Sequence, residues 1–263
     1  MGGFKHLLAQ YGLGGVVATA WELQKRLLPS PGQRRELAVF RKVGNPDAIL
    51  DGPFAGMRYH RVVYAGSTLD RTLGVYEKEI HAAIERMVAW SPDVVADIGT
   101  SDGYDLVGMA RRLPAARVVG YDTLPLCRFL TRRLLRWNAV GSRGEVRGRC
   151  DGVDLERVLS GARRPAVICD CDGGEDPVLH PEVAPSLKRA MIIVELHDVF
   201  VPGISAEIRR RFEGTHDVEL IPVRVHAPSD VPPRFALDAT DAADVVAGQR
   251  RMDNFWYLMT PRA

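Results

Sequence analysis

The chemistry this sequence offers is concentrated in acids and one histidine that fall where apolar runs end. Asp97 closes a run over 94–98 and leads into Gly99-Thr100-Ser101-Asp102-Gly103. Asp122 ends a run over 117–122, Asp151 follows one over 145–150, and Asp170 ends one over 165–170. Glu195, His197 and Asp198 close a run over 190–198. Side chains repeat every second residue along a strand, so Glu195 and His197 share a face. An imidazole titrates near pH ~6.5 and can accept a proton from a hydroxyl at neutral pH. His197 is therefore the candidate general base, with Glu195 or Asp170 to orient it. Asp170, Glu195, His197 and Asp198 also offer ligands for a divalent metal such as Mg²⁺. A reading without metal is preferred, because no compact ligand motif such as H-E-x-x-H occurs.

These residues need a scaffold, and the chain from Asp93 onward supplies one. Apolar runs alternate with amphipathic segments at 104–113, 126–138, 155–159 and 204–212. Such β-α repetition predicts a doubly wound α/β sheet. Further strands are expected at 218–225 and 255–259, with no long helix between them. Strands without a crossover helix pair antiparallel, so the sheet should have seven mostly parallel strands and an antiparallel C-terminal hairpin. The intervening 227–250 reads as a long insertion. In such sheets ligands bind outside the carboxyl ends of the strands, where the acids lie.

Gly99 and Gly103 can adopt backbone angles closed to other residues and let a ligand approach the main chain. A carboxylate beside that turn suits a cation or a ligand rich in hydroxyls and amines, and poorly suits a pyrophosphate. NAD-binding folds need G-x-G-x-x-G; here the middle glycine is absent and acids flank the turn. The pattern points to a positively charged nucleoside cofactor, S-adenosyl-L-methionine.

D-x-G-x-x-x-G after the first strand, acids after the second and third, and the terminal hairpin resemble a class I S-adenosylmethionine-dependent methyltransferase. Within that class, Ile168-Cys169-Asp170-Cys171-Asp172-Gly173-Gly174-Glu175 resembles the I-D-x-E-G-x-E stretch of FkbM-type enzymes. The likeness spans residues 73–261 and departs at Thr100-Ser101-Asp102, where an Ala-Asn pair is usual, and at Asp172, where Glu is usual. It implies a Rossmann-like methyltransferase fold. It also implies that Asp97, Gly99 and Gly103, with Thr100 and Ser101 of the same turn, hold the amino-acid half of the cofactor. Asp122 would bind the ribose and Asp151 the adenine, while Asp170 would stand between cofactor and substrate. Glu77, in the first turn of the helix before the sheet, is a further cofactor candidate.

The expected activity is O-methylation of a small-molecule or sugar-containing metabolite. N-methylation of a small amine and a non-catalytic binding module are the alternatives. The 263 residues carry a formal charge of +2 and no basic, aromatic-bearing platform, so a nucleic-acid partner is not expected. No run is long enough to span a membrane. Residues 1–72 read as a helical extension with a short hairpin over 48–59, serving as a lid or as a homodimer contact. Cys127, Cys150, Cys169 and Cys171 read as reduced, buried thiols of a cytoplasmic protein, and Cys169 and Cys171 as sharing neither a disulfide nor a metal.

Overall fold

The structure is a computed structural model that describes residues 2–61, 63–64, 66–247 and 254–262, with side chains from residue 12 onward. A seven-stranded sheet forms its centre, in the order β3-β2-β1-β4-β5-β7-β6. The strands are β1 (Val94–Ile98), β2 (Arg117–Tyr121), β3 (Gly144–Arg147), β4 (Pro165–Cys169), β5 (Met191–Leu196), β6 (His216–Pro222) and β7 (Phe255–Pro261). β1 to β5 are parallel, whereas β7 runs antiparallel to both β5 and β6. This is the expected doubly wound sheet with a reversed C-terminal hairpin. The order of strands reverses direction at β1 and β4, so the connections that leave their carboxyl ends run opposite ways and open a crevice.

The helices follow from capping and amphipathic pattern. α1 (Gly2–Leu27) is broken at Gly12, where φ is 64°, as the glycine cluster there suggests. α2 (Pro31–Lys42) begins with a capping box from Ser30 and Gln33. α3 (Leu69–Thr72) is one short turn, and α4 (His81–Trp90) delivers the chain to β1. α5 (Tyr104–Arg112), α6 (Pro125–Trp137) and α7 (Gly152–Leu159) alternate with the first strands. α8 (Glu175–Val178) follows β4, and α9 (Ile204–Phe212) follows β5. α10 (Ala239–Val246) lies within the expected insertion.

Two apolar layers enclose the sheet. One face packs Val95, Val118, Ile168 and Ile193 against α4, α5 and α6; the other packs Ala96, Val119, Val167 and Ile192 against α7 and α9. β4 is buried along its whole length, as the middle strand of a covered parallel sheet must be.

The structure differs from the sequence reading in two places. The hairpin expected over 48–59 is reduced to a single antiparallel bridge between Ala48 and Arg58. The insertion over 227–250 contains α10 and folds back on the N-terminal segment; its residues 248–250 lie outside the described residues. Val231, Ala242 and Val245 join Val39, Phe40, Leu69 and Leu73 in a small third core. His226 pairs with Glu79 at 2.8 Å on the same contact. α1 lies across α6, where a Cβ on Gly14 would come within 2.3 Å of the Pro125 carbonyl oxygen. Among the described residues no helix is long and apolar enough to cross a membrane.

Candidate active site

The turn after β1 is built around one close approach. Gly99 has φ 89°, and a Cβ there would lie 1.6 Å from the Asp170 carbonyl oxygen. The Asp170 N–H donates to the Ile98 carbonyl at 2.9 Å. Only glycine lets the ends of β1 and β4 meet in this way. Next, the Ser101 N–H donates to Asp122 Oδ2 at 2.9 Å, and the Leu124 N–H donates to Asp122 Oδ1 at 2.7 Å. These bonds orient the carboxylate at the end of β2, and each oxygen keeps capacity for a further donor. Burial raises the Asp122 pKa, and the two N–H donors hold that rise back.

A cleft of about 410 Å³ lies over these strand ends. Gly99, Ser101, Asp122, Cys150, Asp170 and Asp172 stand on its wall. Other expected contacts lie elsewhere. Thr100 turns inward and is buried, its hydroxyl 3.4 Å from that of Thr131. Gly103 caps α5 with φ 94°. Asp151 is a correction to the sequence reading: its carboxylate caps α7 by accepting the Asp154 N–H at 2.8 Å, and the 148–150 segment lines the cleft in its place.

Beside the turn lies a concentration of carboxyl groups. Asp97 is 3% exposed, and its Oδ2 has no hydrogen-bond partner. Burial, reinforced by Asp105 and Asp122, pushes its pKa far above the usual range. Glu77 sits in the left-handed region at φ 45°, and burial with the Asp105 and Glu195 charges pushes it the same way. Burial also raises Asp105 to about 7, against the pull of the Arg71 guanidinium. Carboxyl groups packed this closely favour a cation among them.

The other end of the cleft is organised by His197, which is fully buried. Its Nδ1 lies 2.7 Å from Glu175 Oε1, and Glu175 is equally buried. The Gly173 N–H donates to the same oxygen at 3.1 Å. His197 Nε2 has no hydrogen-bond partner. It faces Glu195 Oε2 at 3.4 Å, with Asp170 Oδ1 and Asp172 Oδ1 each at 3.6 Å. Phe200 stacks on the imidazole with ring centroids 5.7 Å apart. Asn254 Nδ2 donates to Glu195 Oε1 at 3.2 Å and steadies that carboxylate.

β4 and β5 are neighbours, so the sequence reading that brings Asp170, Glu195 and His197 together agrees with their placement. Asp172 and Glu175 belong to the same group and were absent from the expected site. The signal was present, since both stand in the Ile168–Glu175 stretch on which the FkbM likeness rests. Asp198 does not join: its Oδ1 accepts the Gly203 N–H at 3.0 Å.

No known family model matches the chain, and no curated protein matches it. Solved structures are similar to the chain at low identity. The O-methyltransferase TomG from Streptomyces achromogenes, in complex with SAM, is 19% identical; the match covers 72% of this chain and 82% of that one, with a TM-score of 0.47. An O-methyltransferase from Bacillus cereus in complex with SAH is 15% identical over 92% of this chain and 97% of that one, TM-score 0.47. An rRNA methylase from Streptococcus thermophilus is 14% identical over 72% and 99%, also at 0.47.

The geometry around His197 bears on the expected base. Burial alone would lower its pKa, but the Glu175 and Glu195 carboxylates beside it outweigh that and raise it to about 10. With no cation beside it, an imidazole held there favours its protonated form, which makes it a weaker base toward a hydroxyl than a free one. Asp170, Asp172 and His197 present ligand atoms within 4.8 Å of one another, a spacing that fits one metal ion. Glu175 on Nδ1 leaves Nε2 directed at that point, the arrangement in which an outer carboxylate orients a ligating histidine.

Proposed function

We propose that this chain is a class I S-adenosylmethionine-dependent methyltransferase that methylates a hydroxyl of a small-molecule or sugar-containing metabolite. The observation that carries the proposal is one continuous cleft. Its wall runs from the Gly99–Ser101 turn and the Asp122 carboxylate to Asp170 and Asp172, which border the His197 cluster. A nucleoside bound along the first part would hold its ribose at Asp122 and its base over 148–150. Asp97 and Glu77 would accept the ammonium of the amino-acid half. The sulfonium would then point toward Asp170 and the His197 cluster.

Methyl transfer from a sulfonium is an in-line displacement, so alignment of the acceptor oxygen and removal of its proton are the main demands. Asp170, Asp172 and His197 suit a divalent cation, with Glu175 and Glu195 behind them. Such an ion would lower the pKa of a bound hydroxyl. Under this reading His197 is a ligand or an orienting group, and a neighbouring carboxylate takes the proton. Phe200, stacked on His197, gives the acceptor an apolar wall.

Calorimetry tests the proposal. S-adenosylmethionine should bind to the wild-type chain, and Asp122→Ala should bind it more weakly. Methylation of a diol-bearing acceptor panel should require Mg²⁺ or Mn²⁺. Absence of cofactor binding at millimolar concentration refutes the enzyme reading. Metal-independent turnover refutes the cation and leaves the carboxylates as the base.

A further inference from the structure

The sulfur chemistry of the cleft stands apart from the proposed methyl transfer. Cys127, Cys150 and Cys171 line the cleft, three of the four cysteines in the chain. The fourth, Cys169, is buried at the end of β4, with its Sγ 3.5 Å from that of Cys171. This corrects the expectation that the two thiols share nothing: positions two apart on an extended segment project to the same side. Cys171 is partly exposed to the cleft, so a small solute reaches the pair from there.

The residue between them is Asp170, the acid common to both ends of the cleft. Its N–H donates to the Ile98 carbonyl of β1, and its own carbonyl lies close against Gly99. A disulfide bond is ~2.05 Å long, so joining the sulfurs requires a movement of about 1.5 Å. That movement falls on the turn after Cys171, where Asp172 has φ 50° and Gly173 φ 95°. Asp172 would leave its present place beside His197.

We propose that Cys169 and Cys171 form a peroxide-reactive dithiol, a modification site whose closure disables the cleft. The Cys171 thiolate attacks one oxygen of hydrogen peroxide; the O–O bond breaks, and the leaving hydroxide takes up a proton as water. Cys171 becomes a sulfenic acid. The Cys169 sulfur then attacks the Cys171 sulfur, the S–O bond breaks, and a second water leaves with the thiol proton. Two thiols lose two electrons in total, and one peroxide becomes two waters. A thiol reductant reverses the step.

The disulfide does not depend on the cofactor reading; its effect on the cleft does. The test treats the whole chain with hydrogen peroxide, denatures it, alkylates free thiols and locates the adducts by peptide mass spectrometry. The expected result is loss of alkylation at both Cys169 and Cys171, a peptide lighter by two hydrogens, and recovery of both sites with dithiothreitol. Cys171→Ser, at the more exposed position, should abolish the mass loss, and saturation with S-adenosylhomocysteine should slow it. The oxidised protein should lose S-adenosylhomocysteine binding and regain it on reduction. Both thiols remaining free while Cys127 or Cys150 oxidises, or Cys171 ending as a sulfinic acid, overturns the dithiol. A mapped disulfide with undiminished cofactor affinity overturns its action on the cleft. Failure of the reduced protein to bind the cofactor counts against the methyltransferase reading, while the mass loss alone then decides the dithiol.

Discussion

The two ends of the cleft are built on opposite principles. At the Asp122 end the main chain does the positioning: Ser101 and Leu124 donate their N–H groups to the carboxylate, and Gly99 lets β1 approach β4. At the His197 end side chains hold one another, with a buried imidazole surrounded by Glu175, Glu195, Asp170 and Asp172. The first end is set before any ligand arrives. The second concentrates negative charge and leaves Nε2 without a hydrogen-bond partner, so its arrangement is completed only by a proton or a cation. Under the proposed function, this difference would separate binding, which fixed dipoles serve well, from chemistry, which needs groups that change state.

Substitutions can break this contrast, and the largest effect is expected where both ends meet. Gly99→Ala places a Cβ against the Asp170 carbonyl at a positive φ, so it should cost about 3 kcal/mol of stability and abolish cofactor binding. Urea unfolding and calorimetry would measure this; a stable variant with normal binding contradicts the close approach. His197→Ala should lower turnover at least ~100-fold while leaving cofactor affinity nearly unchanged. Asp122→Ala should do the reverse, weakening the cofactor roughly 10- to 100-fold and sparing turnover at saturation. If both variants lose affinity equally, the two ends are not separate.

A smaller effect is expected at Glu175→Gln, which keeps the shape but removes the charge behind Nδ1. Cation affinity should fall about 10-fold, read from the Mn²⁺ dependence of turnover. The gentlest test is pH. Burial raises Asp70 to about 6 and Asp105 to about 7, from 3.8. Acids raised in the folded state favour it below their unfolded pKa, and that contribution is lost as pH rises through the folded value. The melting temperature of the cofactor-free protein should therefore fall between about pH 4 and pH 7, and bound cofactor should flatten the slope. A melting temperature that rises across that window contradicts the acid cluster.

Much of the sheet was legible because parallel strands covered on both faces read as apolar runs: β4 is one throughout, and β1 and β5 are apolar up to Asp97 and Glu195. The Glu195–His197 pair followed from strand periodicity alone. What the sequence concealed depends on long-range neighbours. Asp151 looked like the other strand-end acids, but local helix capping claimed its carboxylate. Glu175 closes the stretch that carries the FkbM likeness, but only tertiary packing places it against His197. The rise of the His197 pKa comes from Glu175 and Glu195, which stand in two separate segments, so no single motif displays it. α10 was hidden by Pro- and Asp-rich flanks that read as loop.

The central claim is that cofactor and cation share one cleft with the methyl group directed at Asp170 and His197. Nuclear magnetic resonance of S-adenosylmethionine labelled with ¹³C at the methyl group, bound to the protein and titrated with Mn²⁺, tests it directly. The account predicts strong paramagnetic broadening of the methyl signal, saturating at one ion per chain and lost in His197→Ala. A bound cofactor whose methyl signal stays sharp, or broadening that persists in His197→Ala, would contradict it.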